Sequence, residues 1–479
     1  MGSNPLGQIL AFILIAVATL MLLPAIVDFV HDNHDWLIFL YSSLAVGIVG
    51  VMVALSTRSD RPPEITLRRA FVVTTCCWCL LPAVSALPFV GLGIGYSDAF
   101  FEAMSGVTTT GSTVLTDLDR LPPGMLLWRA LLQWIGGVGI IVMAIIMLPF
   151  LRIGGMQLFA TESSDRSGKV IPNPRSLVEW IAGIYAVLTA LCAVLYAMAG
   201  MTAFDAICHA MSTLSTGGYS THDASFAFFK SSAIHWIAVV FMIAGAAPFA
   251  VYIKACQGRP GALWLHPEIR SLLLFLTVSS LGMAAWLVWN LGLPFLTALQ
   301  LTAFNITSIV TTTGFASADY TAWGPQVIGV FFLVMFVGGC TGSTSGSIKI
   351  FRHQVMARVL VSHAKRLTSP RRVIIVRYAG RRIPDDVPAS VLAFLVAFFG
   401  VIALFTLVLT MLGLDFVTAI SAAATAITNV GPGLGDVVGP AGNFATLPDA
   451  AKWVLSAAML LGRLELFAVL VLLRPEFWR

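Results

Sequence analysis

Four short tracts in this sequence could do chemistry with backbone atoms rather than with side chains. The stretch SDAFFEAMSGVTTTGSTVL, residues 97–115, ends in a run of threonines before Gly111. FDAICHAMSTLSTGGYST, residues 204–221, repeats it without a gap, placing Asp205 under Asp98, Met211 under Met104 and Gly218 under Gly111. ALQLTAFNITSIVTTTGFAS is centred on Gly314, and the more divergent FVTAISAAATAITNVGPGLG on Gly431. Each tract opens with some 12 to 15 residues, beginning near Asp98, Asp205, Leu296 and Phe416, that are too short to cross a bilayer and read as re-entrant helices. Such a helix, entering from outside and ending near mid-bilayer, turns its negative carbonyl end toward the centre, which favours a cation. The residues that follow can replace an ion's hydration shell with their carbonyls if four copies converge. Glycine at each pivot reaches backbone angles barred to other residues. Small residues also pack membrane helices, so one such tract says little; four pivots, each between two apolar spans, argue for a pore. Asp98 and Asp205, at the starts of two of these helices, are expected to be N-caps.

The elements that position these tracts are membrane spans. Only 11% of the 479 residues are charged while 58% are hydrophobic, against roughly 25% charged in a soluble domain. This excludes a cytosolic enzyme, a secreted disulfide scaffold and a nucleic-acid binder. Apolar segments lie at about 6–27, 37–55, 70–90, 125–151, 178–200, 233–253, 271–291, 326–337 (continuing with interruptions toward 356), 389–412 and 452–473, predicting ten crossings. The first is read as a retained span, since no basic region or cleavage site flanks it, and Gly2 does not open a lipidation signal. The pivots are 107, 96 and 117 residues apart, room for two crossings and one re-entrant helix per copy, so the four copies are parallel and can surround one axis. Of the 28 Lys and Arg, 23 fall on one side, including Arg58, Arg61, Arg152, Arg166, Lys169, ten residues from Lys349 to Arg382, and Arg479. The opposite loops carry Asp32, Asp35, Asp117, Asp119, Asp223, Asp319, Asp436 and Asp449. Both termini are therefore expected to be cytoplasmic. The seven cysteines read as small buried hydrophobes rather than metal ligands.

Two further features interrupt the apolar pattern. After the third pivot a span is broken by VGGCTGSTSGSIK, residues 337–349, whose four glycines each weaken a helix by about 1 kcal/mol; it reads as a flexible intramembrane loop. It is neither a phosphate-binding loop, because Ser347 and Ile348 follow Gly346, nor a nucleophile elbow, because Thr344 stands at its centre. Arg463 lies about halfway along the last span, where an ionisable group is costly and functional by default, and Glu465, two positions on, faces another way. No paired catalytic constellation is evident: His209 and His235 read as packing residues, Glu102 and Glu465 are the few deep carboxylates, and an intramembrane enzyme is disfavoured. The segment VIIVRYAGRRIP in the long basic loop reads as a short hairpin around Ala379-Gly380.

The motifs TTTGS, STGGYSTHD, TTTGF, GGCTGSTSGSIK, NVGPGLGD and LGRLELF, in this order, resemble the TrkH family, the potassium-translocating membrane subunits of bacterial Trk uptake systems, within the Trk/Ktr/HKT superfamily. The resemblance spans the whole chain. It implies an all-α polytopic membrane protein with four parallel span, pore-helix, filter-loop, span repeats around one pseudo-fourfold pore, preceded by two extra transmembrane helices. The corresponding divisions are 1–60 for the extra helices, 61–160, 161–262 and 263–360 for repeats one to three, 361–387 for the basic cytoplasmic loop and 388–479 for repeat four. It further implies potassium ligands at the backbone of Thr109, Thr110 and Gly111; Thr216, Gly217 and Gly218; Thr312, Thr313 and Gly314; and Asn429, Val430 and Gly431. A serine in place of the first pivot marks sodium-selective relatives, so potassium is favoured, with sodium as a leak. Carried onto this chain, the gate is Gly338, Gly339, Thr341, Gly342, Ser343, Thr344, Ser345 and Gly346, with Lys349 at its end, and Arg463 places a positive charge below the filter. The implied activity is gated, channel-like potassium uptake across the bacterial inner membrane, with a proton- or sodium-coupled symporter as the alternative. The expected partners are potassium, membrane lipid, a second copy of the chain and a cytoplasmic nucleotide-binding TrkA subunit. No cofactor is expected in this chain, any nucleotide lying on that partner, and no metal beyond potassium at the filter.

Overall fold

A computed structural model describes residues 5–58, 66–147, 174–369, 376–378, 381–384 and 386–478. Of the basic residues used for orientation, Arg61, Arg152, Arg166, Lys169, Arg371, Arg372 and Arg479 lie outside the described residues, as do Gly2 and the Ala379-Gly380 turn.

Among the described residues seven helices are long and apolar enough to cross a membrane. A helix of 25 residues such as Pro267–Leu291 spans about 37 Å, ample for a hydrocarbon core of about 30 Å. Two further expected crossings are bent pairs: Ser232–Gly245 meets Phe249–Cys256 at 93°, and Asp449–Arg463 meets the segment Phe467–Leu473 at 104°. The tenth expected crossing is not one helix. Pro325–Val334 stops after ten residues, residues 337–349 run as an irregular loop, and Ile350–Thr368 resumes. In the basic loop Arg377–Tyr378 and Arg381–Arg382 pair antiparallel, the hairpin expected from the sequence.

The four short helices are Tyr96–Val107, Ala203–Leu214, Phe295–Val310 and Phe416–Thr428. Both expected N-caps are corrected. Gly95 and Thr202 occupy the cap positions, and Asp98 and Asp205 lie inside the first turn. Thr202 Oγ1 accepts from the Asp205 amide at 3.1 Å and donates to its carboxylate at 2.7 Å, so hydroxyl and acid satisfy one another across the turn. Asp98 instead meets Lys452 Nζ of the last span at 2.5 Å. Either acid still faces the positive end of its helix. Asp415 caps the fourth helix through the Thr418 amide.

The repeats close into a ring. The second span of repeat one, Pro123–Met147, packs against the short helix Ala203–Leu214 of repeat two; Ser232–Gly245 of repeat two packs against Phe295–Val310 of repeat three; and Asp449–Arg463 of repeat four packs against Tyr96–Val107 of repeat one. Where the third span breaks, its loop takes over this contact, and a methyl on Gly346 would lie 2.5 Å from the Thr428 carbonyl oxygen. The second spans of repeats one and four also cross flush with the ends of their own short helices. Added methyls at Gly136 and Gly462 would lie 2.0 Å from the carbonyl oxygens of Val107 and Ile427. No residue with a side chain fits that crossing.

The first two helices, Pro5–Val30 and Trp36–Ser56, form a hairpin beside the ring, joined by the Ser43 hydroxyl donating to the Ala18 carbonyl at 2.7 Å. Buried Asp28 accepts from the amide of Gly124 at 2.6 Å and so caps the helix Pro123–Met147 from outside its own repeat. Asp28→Ala is expected to lower the stability of the detergent-solubilised protein by ~1–2 kcal/mol, with Asp28→Asn losing less. A thermal melt unchanged by the alanine would mean that the cap does not hold the hairpin.

A candidate cation filter and the loop beneath it

At the end of each short helix the chain leaves helical geometry in the same way. The residue two before each pivot has positive φ: Thr109 at 51°, Thr216 at 50°, Thr312 at 58° and Asn429 at 55°. The pivots follow at 87°, 84°, 85° and 107° for Gly111, Gly218, Gly314 and Gly431. Both positions lie in the left-handed region that glycine alone enters at no cost, and threonine there is strained by roughly 1–2 kcal/mol. The surrounding contacts must supply that energy.

The pivots meet one another in a closed cycle. A methyl on Gly111 would lie 2.2 Å from the carbonyl oxygen of Gly217, one on Gly218 2.0 Å from that of Thr313, one on Gly314 2.1 Å from that of Val430, and one on Gly431 2.6 Å from that of Thr110. Each pivot thus abuts the carbonyl that precedes the next pivot, and the fourth returns to the first. All four pivots line one outer cavity, together with Ser112 and Asp223. The structure therefore brings together the twelve expected filter residues, including the divergent fourth loop with Pro432. Side chains hold the ring from behind. Thr110 Oγ1 pairs with Thr108 at 2.8 Å and receives Asn429 Nδ2 at 3.0 Å, Thr313 pairs with Thr311 at 2.8 Å, and Ser112 donates to the Gly431 carbonyl at 2.8 Å. Gln133 donates to the Gly217 carbonyl at 2.6 Å and accepts from the Tyr219 amide at 3.0 Å.

Above the ring, His222 links two loops. Its Nδ1 lies 2.5 Å from Asp119 Oδ1, and its Nε2 lies 3.6 Å from Asp205 Oδ1. Burial pushes the imidazole down, but the nearby Asp205 and Asp119 carboxylates, the latter hydrogen-bonded to it, outweigh this and hold its pKa above the usual histidine value. The hydrogen bond from His222 lowers that of Asp119.

Residues 337–349 lie directly beneath the ring. The sequence suggests a flexible loop; the structure has a densely bonded one. Cys340 N donates to Ala246 O at 2.9 Å, Gly342 O accepts from Phe249 N at 3.0 Å, and Thr341 N donates to Glu268 Oε2 at 2.7 Å. Thr344 Oγ1 touches Thr216 Oγ1 at 3.1 Å, Ser345 donates to Thr311 O at 2.7 Å, and Gly346 N donates to Thr312 Oγ1 at 2.8 Å. With Gly346 against Thr428, one segment touches the undersides of three filter loops. Gly338 and Gly342 supply the left-handed turns, and Gly339 abuts Ser345 so closely that a methyl there would lie 2.5 Å from its Oγ. Ser343 closes a local turn onto the Cys340 carbonyl at 2.6 Å.

Arg463 is the last residue of its helix rather than the middle of a continuous one, because the span turns there. It is buried, and its Nη1 donates to the Thr344 carbonyl at 2.8 Å, while Nε and Nη2 have no hydrogen-bond partner among the described residues. Glu465 is not its partner, as expected. It bonds Arg352 and, at 3.2 Å, Lys349, pinning the far end of the loop to the bend. Sequence reasoning missed Arg129, Gln133 and Glu268, and it left Glu102 without a role; the available signal was a charged or amide group inside an otherwise apolar span. Among the described residues no group of three His, Cys, Asp or Glu is arranged to hold a metal, and all seven cysteines are free.

Comparison with known proteins agrees over the full length. The chain is 44% identical to the Trk system potassium uptake protein TrkI of Halomonas elongata, over 99% of this chain and 97% of that one. It is 34% identical to the Trk system potassium uptake protein TrkH of Escherichia coli K12, covering all of both chains. The crystal structure of the potassium transporter TrkH from Vibrio parahaemolyticus superposes with a TM-score of 0.91 at 35% identity, covering 99% of each chain. The profile of the TrkH family, described as cation transport protein, matches residues 40–479, and the chain belongs to this family of membrane transporters rather than to any class of enzyme.

Proposed function

We propose that the chain is the potassium-conducting membrane subunit of a Trk uptake system and that it works as a gated, channel-like pore. The observation that carries this reading is the closed cycle of pivots and carbonyls, which gives four short helix ends one common axis. Carbonyl oxygens at that axis stand in for the hydration shell of a monovalent cation, aided by four helix C-termini. The ligands are the backbone oxygens of the twelve residues around Gly111, Gly218, Gly314 and Gly431. The excess of basic residues on one side supports an inner-membrane orientation with both termini in the cytoplasm. Potassium as the ion is supported by the relatives, which are potassium uptake proteins. The cytoplasmic face, with its basic loop, would receive the nucleotide-binding TrkA subunit, and the chain would work as a homodimer.

The loop of residues 337–349 is the gate in this reading. It touches filter loops two, three and four from below, on the side where an ion would leave them. Arg463 holds it there through the Thr344 carbonyl and adds a positive charge on the exit side. Its four glycines let the segment refold when the latch opens, and Lys349 and Arg352 on Glu465 form a second latch.

Gly111→Ser adds a side chain against the Gly217 carbonyl at a φ that costs ~1–2 kcal/mol, so the potassium-to-sodium permeability ratio should fall roughly tenfold. Proteoliposomes under opposed potassium and sodium gradients measure it, and an unchanged ratio excludes these loops as the filter. A reversal potential that tracks potassium alone supports a channel, whereas one displaced by a proton gradient supports coupled symport. Arg463→Ala removes a charged hydrogen bond of ~1.5–3 kcal/mol from the closed loop and should raise flux about tenfold or more. Potassium uptake at wild-type rate in cells lacking other uptake systems would argue that the loop is no gate.

A further inference from the structure

The nine-residue step back from each pivot reaches Glu102, His209, Asn305 and Ala422. In three repeats the side chain at this position grips the chain two or three residues beyond the pivot, from inside the short helix. Glu102 accepts from the Val114 amide at 3.0 Å and from the Thr113 hydroxyl at 3.0 Å. His209 Nε2 lies 2.9 Å from Ser220 Oγ. Asn305 donates to Ser317 Oγ at 2.9 Å and accepts from its amide at 3.2 Å. Ala422 has no polar atom, and the neighbouring Ser421 donates instead to the Leu434 carbonyl at 3.1 Å.

Repeat one differs in carrying a charge. Glu102 is fully buried and pairs with buried Arg129 at 2.8 Å. A buried ion pair is seldom worth more to stability than apolar packing, so its presence needs another reason. The guanidinium spreads over both neighbouring loops. It donates to the Ser220 carbonyl of loop two at 2.9 Å and to Thr113 of loop one at 3.2 Å, and it lies 4.1 Å over the ring of Tyr219. Tyr219 in turn donates to the Glu102 carbonyl at 2.8 Å. Gln133, one helical turn along the same span face, grips Gly217 and Tyr219.

Resting on the filter reading above, we infer that the side chain nine residues before the pivot is a positioning residue of the ion path, and that Glu102 with Arg129 sets the separation of filter loops one and two, hence the discrimination between potassium and sodium. These groups touch no ion. They fix the return strand whose other end carries the carbonyls, and discrimination between ions of different radius is sensitive to how firmly those carbonyls are held.

The test compares Arg129→Lys, Glu102→Gln and Asn305→Ala with the wild type and with Gly111→Ser, in proteoliposomes loaded at equal protein. Lysine keeps the charge but cannot reach Glu102 and Ser220 together; glutamine keeps an acceptor but loses the pair; Asn305→Ala opens the clasp of repeat three and leaves no charge buried alone. Each should lower the potassium-to-sodium permeability ratio at least about threefold, the loss of a buried hydrogen bond, with the thermal stability of the reconstituted protein nearest wild type for Asn305→Ala, which strands no buried charge. If Gly111→Ser lowers the ratio while all three clasp variants keep it, the clasps are merely structural and the inference is overturned. If Gly111→Ser also keeps it, the filter reading itself fails. Should the charged pair not survive substitution, Asn305→Ala alone decides: a ratio equal to wild type overturns the inference, and a lowered one upholds it.

Discussion

Everything in this fold answers one constraint: irregular backbone has been carried to the middle of a membrane, where an unsatisfied amide or carbonyl costs several kcal/mol. Four tracts leave the helix at Thr108, Ser215, Thr311 and Asn429, and none could stand exposed to lipid. The closed cycle resolves this, since each pivot packs on the carbonyl of the next loop and the whole ring is walled by the second spans of neighbouring repeats. The glycines of those spans at Gly136, Gly245 and Gly462 matter for the same reason, because they let a helix lie against the terminal carbonyls of the short helices without intervening side chains.

The fourfold arrangement is approximate, and its departures are ordered. Of the four second spans, only that of repeat one runs through as one described helix; the others bend or break below the ring. The same asymmetry appears in the residues two before the pivots. Thr216 and Thr312 are engaged by the loop from below, whereas Thr109 Oγ1 and Asn429 Oδ1 are buried without a partner among the described residues. The loop thus bonds the threonines of loops two and three and reaches loop four only by packing Gly346 against Thr428 and Asn429.

The repeat itself was legible in the sequence because its signals are local: a short amphipathic stretch, a polar tract, a glycine at constant offset, and apolar segments of crossing length. All four short helices begin and end within a few residues of where these signals put them. What was not legible depends on contacts between distant segments. Arg463 bonds Thr344, 119 positions away, and Glu465 meets Arg352 and Lys349 from another repeat. The bends after Gly245 and Arg463 left only weak traces, Pro248 in one case and a charge pair in the other. The misplaced caps have a plain cause: an acid in the first turn and an acid at the cap look alike in sequence, and Thr202 supplied the cap from three residues earlier.

The charges inside the membrane divide into two kinds by what surrounds them. Glu102 with Arg129, and Glu465 with Lys349 and Arg352, are compensated, and their positions tie one loop to another. Arg463 is not compensated. A buried guanidinium with one hydrogen bond to a carbonyl and two nitrogens without partners carries a desolvation cost that packing does not return. Four helix ends directed at the ring make the region above it attractive to cations, and an ion that binds too well does not leave. If these loops are the ion path proposed above, a fixed positive charge at its lower end offsets that attraction. On the proposed reading of these loops as an ion path, the most expensive residue in the span has a reason to be kept, weak binding at the exit, and its bond to Thr344 ties that charge to residues 337–349.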